Sequence, residues 1–325
     1  MAKYIVTGAA GFIAARVVEM LAEAGHDVIG IDNLNHAYDI RLKEWRLNNL
    51  QKLPGFQFVQ EDISDKGIIP LLKERAAGCD AIINLAARAG VRSSVIDPWE
   101  YYRTNVEGAL NLLECCRQYR IPKFIQASSS SVYGDKNPMP YKEDANTDQP
   151  LQPYAASKKA SEVLSYSYHY LYGVDVTIFR YFTVYGPAAR PDMAMFRFAQ
   201  WITEGKTVKI NGDGNQTRGF TYVDDIARGT IQGLRPLGYE IINLGGHEQI
   251  SMNDLVHLFE QKTGKTAKME FQPIHKADAQ ANWADSDKAI ELLNWEPQVS
   301  LDEGVSRLVN WYSTERTWAS QVKTE

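Results

Sequence analysis

Cysteine is scarce in this 325-residue chain. Cys79, Cys115 and Cys116 form no CxxC pair and no metal-ligand spacing, which argues against a disulfide framework and for a reduced, cytoplasmic setting. The six histidines show neither metal nor triad spacing, so no metal site is expected. No apolar run approaches the ~20 residues of a membrane span. Lys3 to Val6 already read as a strand and leave no room for a signal peptide. Lys and Arg form no run that would suit nucleic acid or an anionic membrane surface, and the net charge of -5 is mildly acidic. Internal repeats and low-complexity segments are also missing. What remains is an ordinary globular composition, 44% apolar and 23% charged, long enough for one large domain or two interleaved ones.

The first half of the chain alternates strand and helix. Lys3–Thr7, Asp27–Ile31, Phe56–Gln60, Ala81–Leu85, Phe124–Ser128 and Val174–Arg180 read as strands. Helices are expected over Phe12–Ala24 and Ile40–Leu50, near Trp99–Tyr119, and over Tyr154–Tyr172. Such alternation predicts an α/β fold with a doubly wound parallel sheet of Rossmann type. Beyond Gly186 the pattern loosens into prolines and the turn-rich stretch Asn211-Gly212-Asp213-Gly214-Asn215. We therefore expect residues 1–184 to form a dinucleotide-binding domain, with 220–248 returning to it. Residues 185–219 and 249–325 are expected to form a smaller α/β substrate-binding cap.

Between the first strand and the first helix lies Gly8-Ala9-Ala10-Gly11-Phe12-Ile13-Ala14. Glycines there permit a tight turn and close approach of backbone to a pyrophosphate, which sits on the helix N-terminus. Ala14 takes the place of the usual third glycine, a variant the fingerprint tolerates. Asp32 ends the second strand, where a carboxylate would bind the adenosine ribose hydroxyls. An acid at that place disfavours the extra phosphate of NADP, and no arginine follows it directly. NAD is the expected cofactor. Asp62 and Ile63, after the third strand, would suit the adenine, or would simply form a solvated strand end.

Tyr154 and Lys158 stand four residues apart and would share a helical face. A free tyrosine titrates near ~10. A neighbouring cation, or a bound nicotinamide cation, would favour the phenolate and let it take a proton from a sugar or alcohol hydroxyl. With 17 tyrosines, about one such spacing arises by chance, and Tyr119/Lys123 is a decoy with Pro122 between. The spacing has meaning only through its surroundings.

Those surroundings resemble the extended short-chain dehydrogenase/reductases, in their nucleotide-sugar epimerase group, over essentially the whole chain. The matching pieces are the GxxGxxA turn, Asp32-Asn33, Asn105 in Thr104-Asn105-Val106, Ser129 to Gly134, and Tyr154/Lys158. The resemblance implies that Ser129 bonds the reacting hydroxyl, Tyr154 is the acid/base, and Lys158 holds the nicotinamide ribose. It also implies cofactor contacts from Asn33, Asn35, Leu85, Ala86, Ala87, Asn105 and Tyr181.

Dehydratases resemble Thr-Asp-Glu and decarboxylases Thr-Ser-Glu where this chain has Ser129-Ser130-Ser131. With no carboxylate there, the resemblance implies an enzyme that turns a 4-keto sugar over and returns the hydride. The segments Asp32–Asp39, Ala89–Ser94 (with Arg92) and Thr183–Ala194 (with Arg190) are similar to the UDP-glucuronate 4-epimerase group. Arg190, Thr183, Ser129 and Ser130 would then meet a uronate carboxylate. Arg218 would clamp the diphosphate, and Asp278 would bind the uridine ribose. Ala188 and Ala189 depart from a usual Trp-Gly. A 4-epimerase of neutral UDP-sugars, a UDP-glucuronate decarboxylase and a non-catalytic NAD-sensing protein stand as alternatives. Dimerisation is implied by the family's four-helix interface.

Overall fold

The alternating segments build a seven-stranded, wholly parallel sheet. Its spatial order is Tyr239–Leu244, Asp175–Tyr181, Lys123–Ser129, Ala81–Asn84, Lys3–Thr7, Asp27–Asp32, Phe56–Gln60. The structure, a computed structural model, describes residues 1–246, 248–273 and 283–324. All six central pairings are parallel. Strands that face helices on both sides read as continuous apolar runs, and Ala81–Asn84 is buried throughout. Strand order reverses between Lys3–Thr7 and Ala81–Asn84, and ligands of doubly wound sheets bind beyond such a reversal.

The first turn needs its glycines. Gly8 lies at φ +69°, and a Cβ there would meet backbone atoms of Ala86 at 2.8 Å. A Cβ on Gly11 would lie 2.7 Å from the Gly8 carbonyl oxygen. Ala14 is buried in the helix Phe12–Glu23, so its extra methyl is accommodated.

Two features differ from the expected outline. The helix near Trp99–Tyr119 is two α-segments, Pro98–Tyr102 and Gly108–Tyr119, joined by a π-helical turn over Arg103–Glu107. Such a turn inserts a residue and re-aims its side chains. The helix then ends at Tyr119 with Arg120 in the left-handed region, so Tyr119 and Lys123 share no helical face.

Beyond Tyr181 the chain forms two small sheets. Thr183–Tyr185 pairs with Thr217–Tyr222, which also pairs antiparallel with Glu248–Ser251. Thr207–Asn211 pairs parallel with Lys268–Gln272. The helix Val223–Gln232 returns to pack on the helix Phe12–Glu23, and Arg16 bonds Asp224 at 2.8 Å across that contact. Among the described residues no helix is long and apolar enough to cross a membrane.

Candidate active site

A cleft of about 770 Å³ opens at the carboxyl ends of the central strands. At one end stand Gly8, Gly11, Phe12 and Ile13, with Asp32, Asn33, Asn35, Asp62, Ile63, Leu85, Ala86 and Ala87 around them. Gly11 begins the helix Phe12–Glu23 without a side-chain acceptor for the first-turn N–H groups. Bare backbone, an uncapped helix start and a nearby acid suit a dinucleotide pyrophosphate and ribose.

Asp32 is not isolated. One oxygen accepts from the Leu34 amide at 2.8 Å and from Lys43 Nζ at 3.2 Å, and the other accepts from the Ala10 amide at 3.2 Å. The Lys43–Asp32 pair is buried, each side chain 5% exposed. Asn33 Nδ2 donates to Asp62 at 3.0 Å. Burial pushes the Asp62 carboxyl up, but bonds from Ser64 and Asn33 and the Arg103 charge outweigh it and hold it below its ordinary value.

At the other end the helix Pro153–Tyr172 presents Tyr154 and Lys158. Proline at its first position and Gly173 in the left-handed region after its last turn set its limits. Tyr154 hydrogen-bonds Ser129 and packs edge-on against Tyr101, ring centroids 6.1 Å apart. Ser129 Oγ also donates to Ser131 Oγ at 3.2 Å. Burial raises the Tyr154 pKa, and the Ser129 bond and the Arg190 charge offset only part of it.

This differs from the expectation that Lys158 would draw the phenol down. Lys158 instead donates to the Ala127 carbonyl at 3.0 Å. Its own ammonium is pushed down to about 8 by burial, against the pull of Glu162 one turn on. Desolvation acts on both partners at once.

The remaining sequence-predicted residues divide. Ser130, Ser131, Arg92, Thr183, Arg190, Arg218 and Tyr181 all line the cleft. The Tyr181 hydroxyl meets Thr230 at 2.8 Å, so the ring alone serves the cleft. Arg218 Nη1 donates to the Thr217 carbonyl at 2.8 Å. Arg190 binds Asp192 through Nε at 3.1 Å and Nη2 at 2.6 Å, and reaches the Ala89 carbonyl at 3.3 Å.

Asn105 does not line the cleft. Its amide joins the Arg88 backbone at 2.9 and 3.1 Å and Ser157 at 2.9 Å, tying the Arg88 loop to the Tyr154 helix from behind. Asp278 lies outside the described residues.

Sequence reasoning passed over Tyr101 and gave no role of their own to Lys43, Tyr38 and Asp192, although Tyr38 and Asp192 lie in the segments that carry the resemblance. A signal existed for Lys43: residues 43, 46, 47 and 50 recur at helical spacing and are all buried. A periodicity reading that admits only apolar residues passes over Lys43 and Arg46.

The NAD dependent epimerase/dehydratase family matches residues 4–245. The chain is 54% identical over 312 residues to a UDP-glucuronate 4-epimerase of Thermodesulfobacterium geofontis, covering 96% of each. The UDP-glucuronic acid 4-epimerase of Bacillus cereus, solved with UDP-glucuronic acid and NAD, superposes with a TM-score of 0.90 at 38% identity, over 96% of this chain and 99% of that one. A UDP-glucose 4-epimerase of Thermotoga maritima with UDP-glucose gives 0.89 at 31% identity, over 97% and 99%. The fold, the glycine turn, and the serine and tyrosine over the strand ends thus have one source: the chain belongs to the NAD dependent epimerase/dehydratase family.

Proposed function

We propose that this chain is an NAD-dependent 4-epimerase converting UDP-glucuronate to UDP-galacturonate. One observation carries the choice of reaction. Among the described residues lining the cleft the carboxylates are Asp32, Glu61, Asp62 and Asp192. The first three lie at the strand ends that face the cofactor, and Asp192 is bound by Arg190. No carboxylate there stands free beside Ser129, Ser130 and Ser131 to protonate or deprotonate carbon, as a dehydratase requires. The relative at 54% identity bears the name of this same reaction.

NAD, held by the glycine turn, Asp32 and the Tyr154/Lys158 helix, supplies the acceptor and donor for the C4 hydrogen with its electron pair, and its positive ring favours the phenolate. Tyr154 Oη takes the proton from the sugar O4, with Ser129 holding that oxygen. Tyr154 keeps that proton until the 4-keto sugar has turned about its diphosphate, then gives it back. Arg218 is the diphosphate anchor.

Arg190 and Thr183 hold the uronate carboxylate. Asp192 and Ala89 orient the Arg190 guanidinium through Nε and Nη2. Held there, the carboxylate keeps the C5–C6 bond out of alignment with the ketone and the β-keto acid keeps its carbon dioxide. Incubation with UDP-glucuronate and separation of UDP-sugars tests the reading. UDP-galacturonate is the expected product; a UDP-pentose as the main product would sink it.

We assign residues 1–184 and 220–248 to the cofactor domain and 185–219 and 249–325 to the cap. The return of Tyr239–Leu244 to the large sheet supports this division. Three free, buried cysteines support a reduced cytoplasmic setting. A homodimer is the proposed assembly. Val163, Tyr166 and Tyr170 form an exposed apolar stripe on the Tyr154 helix, with Trp99 and Leu110 exposed on the neighbouring helices. Sedimentation is expected to give a dimer for the wild type and a monomer for Val163→Glu. A monomeric wild type at micromolar concentration rules the assembly out.

A further inference from the structure

The helix Ile40–Leu50 carries two cations inward, and they meet different surroundings. Lys43 finds a carboxylate, Asp32. Among the described residues Arg46 finds none at hydrogen-bond distance, and the Asp32 charge reaches it only from farther off. Arg46 is 4% exposed, and among the described residues its guanidinium bonds only neutral acceptors. Nη2 donates to the Tyr38 hydroxyl at 2.9 Å and Nη1 to the Ala188 carbonyl at 3.4 Å. The group also lies over the Tyr38 ring, 5.6 Å from its centroid. Nε has no partner. Burying a guanidinium without an ionic partner is costly, and an apolar side chain would fill the space for less. The contribution of Arg46 therefore lies in the two groups it joins.

Tyr38 borders the cleft, and Ala188 sits in the loop that carries Arg190 into it. Ala188 belongs to the loop between the strand Thr183–Tyr185 and the helix Ala194–Thr203, two residues before Arg190. It holds φ +53°, an uncommon conformation for a residue with a Cβ. The side chains of Ala188 and Ala189 are single buried methyls, Ala188 packing among Leu42, Phe196 and Val322, so polar contacts to this loop fall to its main chain. Tyr38 lines the cleft and lies close enough to Arg190 and Asp192 to feel both charges. One guanidinium thus connects the segment after Asp32 to the loop that carries Arg190.

We propose that Arg46 is a positioning residue for Arg190, pinning the Ala188 main chain and the Tyr38 ring and so fixing where Arg190 meets the substrate carboxylate. The inference rests on the proposed epimerase reading. When that hold loosens, the carboxylate turns until the C5–C6 bond aligns with the C4 ketone. That bond then breaks, its electron pair passes to C5 as the enolate, and carbon dioxide leaves. A proton from solvent completes C5, and reduction of C4 gives a UDP-pentose. Arg46 therefore governs the partition between epimer and pentose.

The test uses the full chain with its NAD, UDP-glucuronate as substrate, and separation of UDP-galacturonate from UDP-pentose. Arg46→Met is expected to raise the pentose fraction and KM roughly tenfold with kcat little changed, short of the ~10²-fold loss that a 1 Å misplacement brings. Tyr38→Phe removes a single hydroxyl and is expected to shift the partition the same way by less. Arg46→Lys is expected to restore part of it. A lowered melting temperature with wild-type partition and KM marks a merely structural role and overturns the proposal. Should Arg46→Met fail to fold, an unchanged partition in Tyr38→Phe overturns it alone. A wild type that leaves UDP-glucuronate unepimerised overturns the functional reading and this inference together. A wild type that epimerises, with variants partitioning like it, overturns this inference only.

Discussion

Replacing Tyr154 by phenylalanine is expected to lower kcat on UDP-glucuronate by ~10²–10⁴-fold, the range that a positioned acid/base supplies. The fold should survive. Phenylalanine keeps the edge-on packing against Tyr101 and loses only the hydroxyl and its bond to Ser129. NAD content, read by absorbance after denaturing the purified protein, should match the wild type. The glycine turn and Asp32 line the far end of the cleft, away from the phenol. Activity within tenfold of the wild type would remove Tyr154 from its role.

The second large effect concerns a buried pair beneath the site. Arg180 binds Glu162 through Nε and Nη2, both at 2.9 Å, with side chains 2% and 1% exposed. Ser128 Oγ donates to the same carboxylate at 2.5 Å, and Arg180 also reaches Tyr133 and the Glu143 carbonyl. Breaking a buried pair strands a charge, so Arg180→Met is expected to cost about 3–5 kcal/mol in urea unfolding. Adding Glu162→Gln should recover much of that loss, because the stranded carboxylate is then gone. A single-variant loss below ~1 kcal/mol would mean that water, or Lys159, whose Nζ already stands 3.9 Å from Glu162, takes over the charge. The pair also has a functional side. The Glu162 charge supports the Lys158 ammonium against its burial.

Much of this was readable before the structure. Alternating segments dictate a parallel sheet because each apolar strand needs helices on both faces. Gly8 and Gly11 stand where a Cβ has no room, so the spacing of the turn reflects a steric fact. Ser129 and Tyr154 meet because one ends a central strand and the other starts the helix that packs on it.

What escaped sequence reading depends on groups brought from elsewhere. Lys43 and Arg46 look like the polar face of a surface helix until Asp32, Tyr38 and Ala188 close over them. The π-helical turn at Arg103–Glu107, which sets Asn105 behind the cleft, carries no local signature. The weight of burial at Tyr154 escapes for a related reason. Spacing gives the neighbour along the helix, while burial, which dominates, is a property of the whole cleft.

The central claim is that C4 is oxidised and then reduced again within one enzyme, with inversion. UDP-glucuronate carrying deuterium at C4 tests it most directly. UDP-galacturonate should form with the deuterium still at C4 and no deuterium released to water. Loss of the label to solvent, or its absence from the epimer, would contradict it.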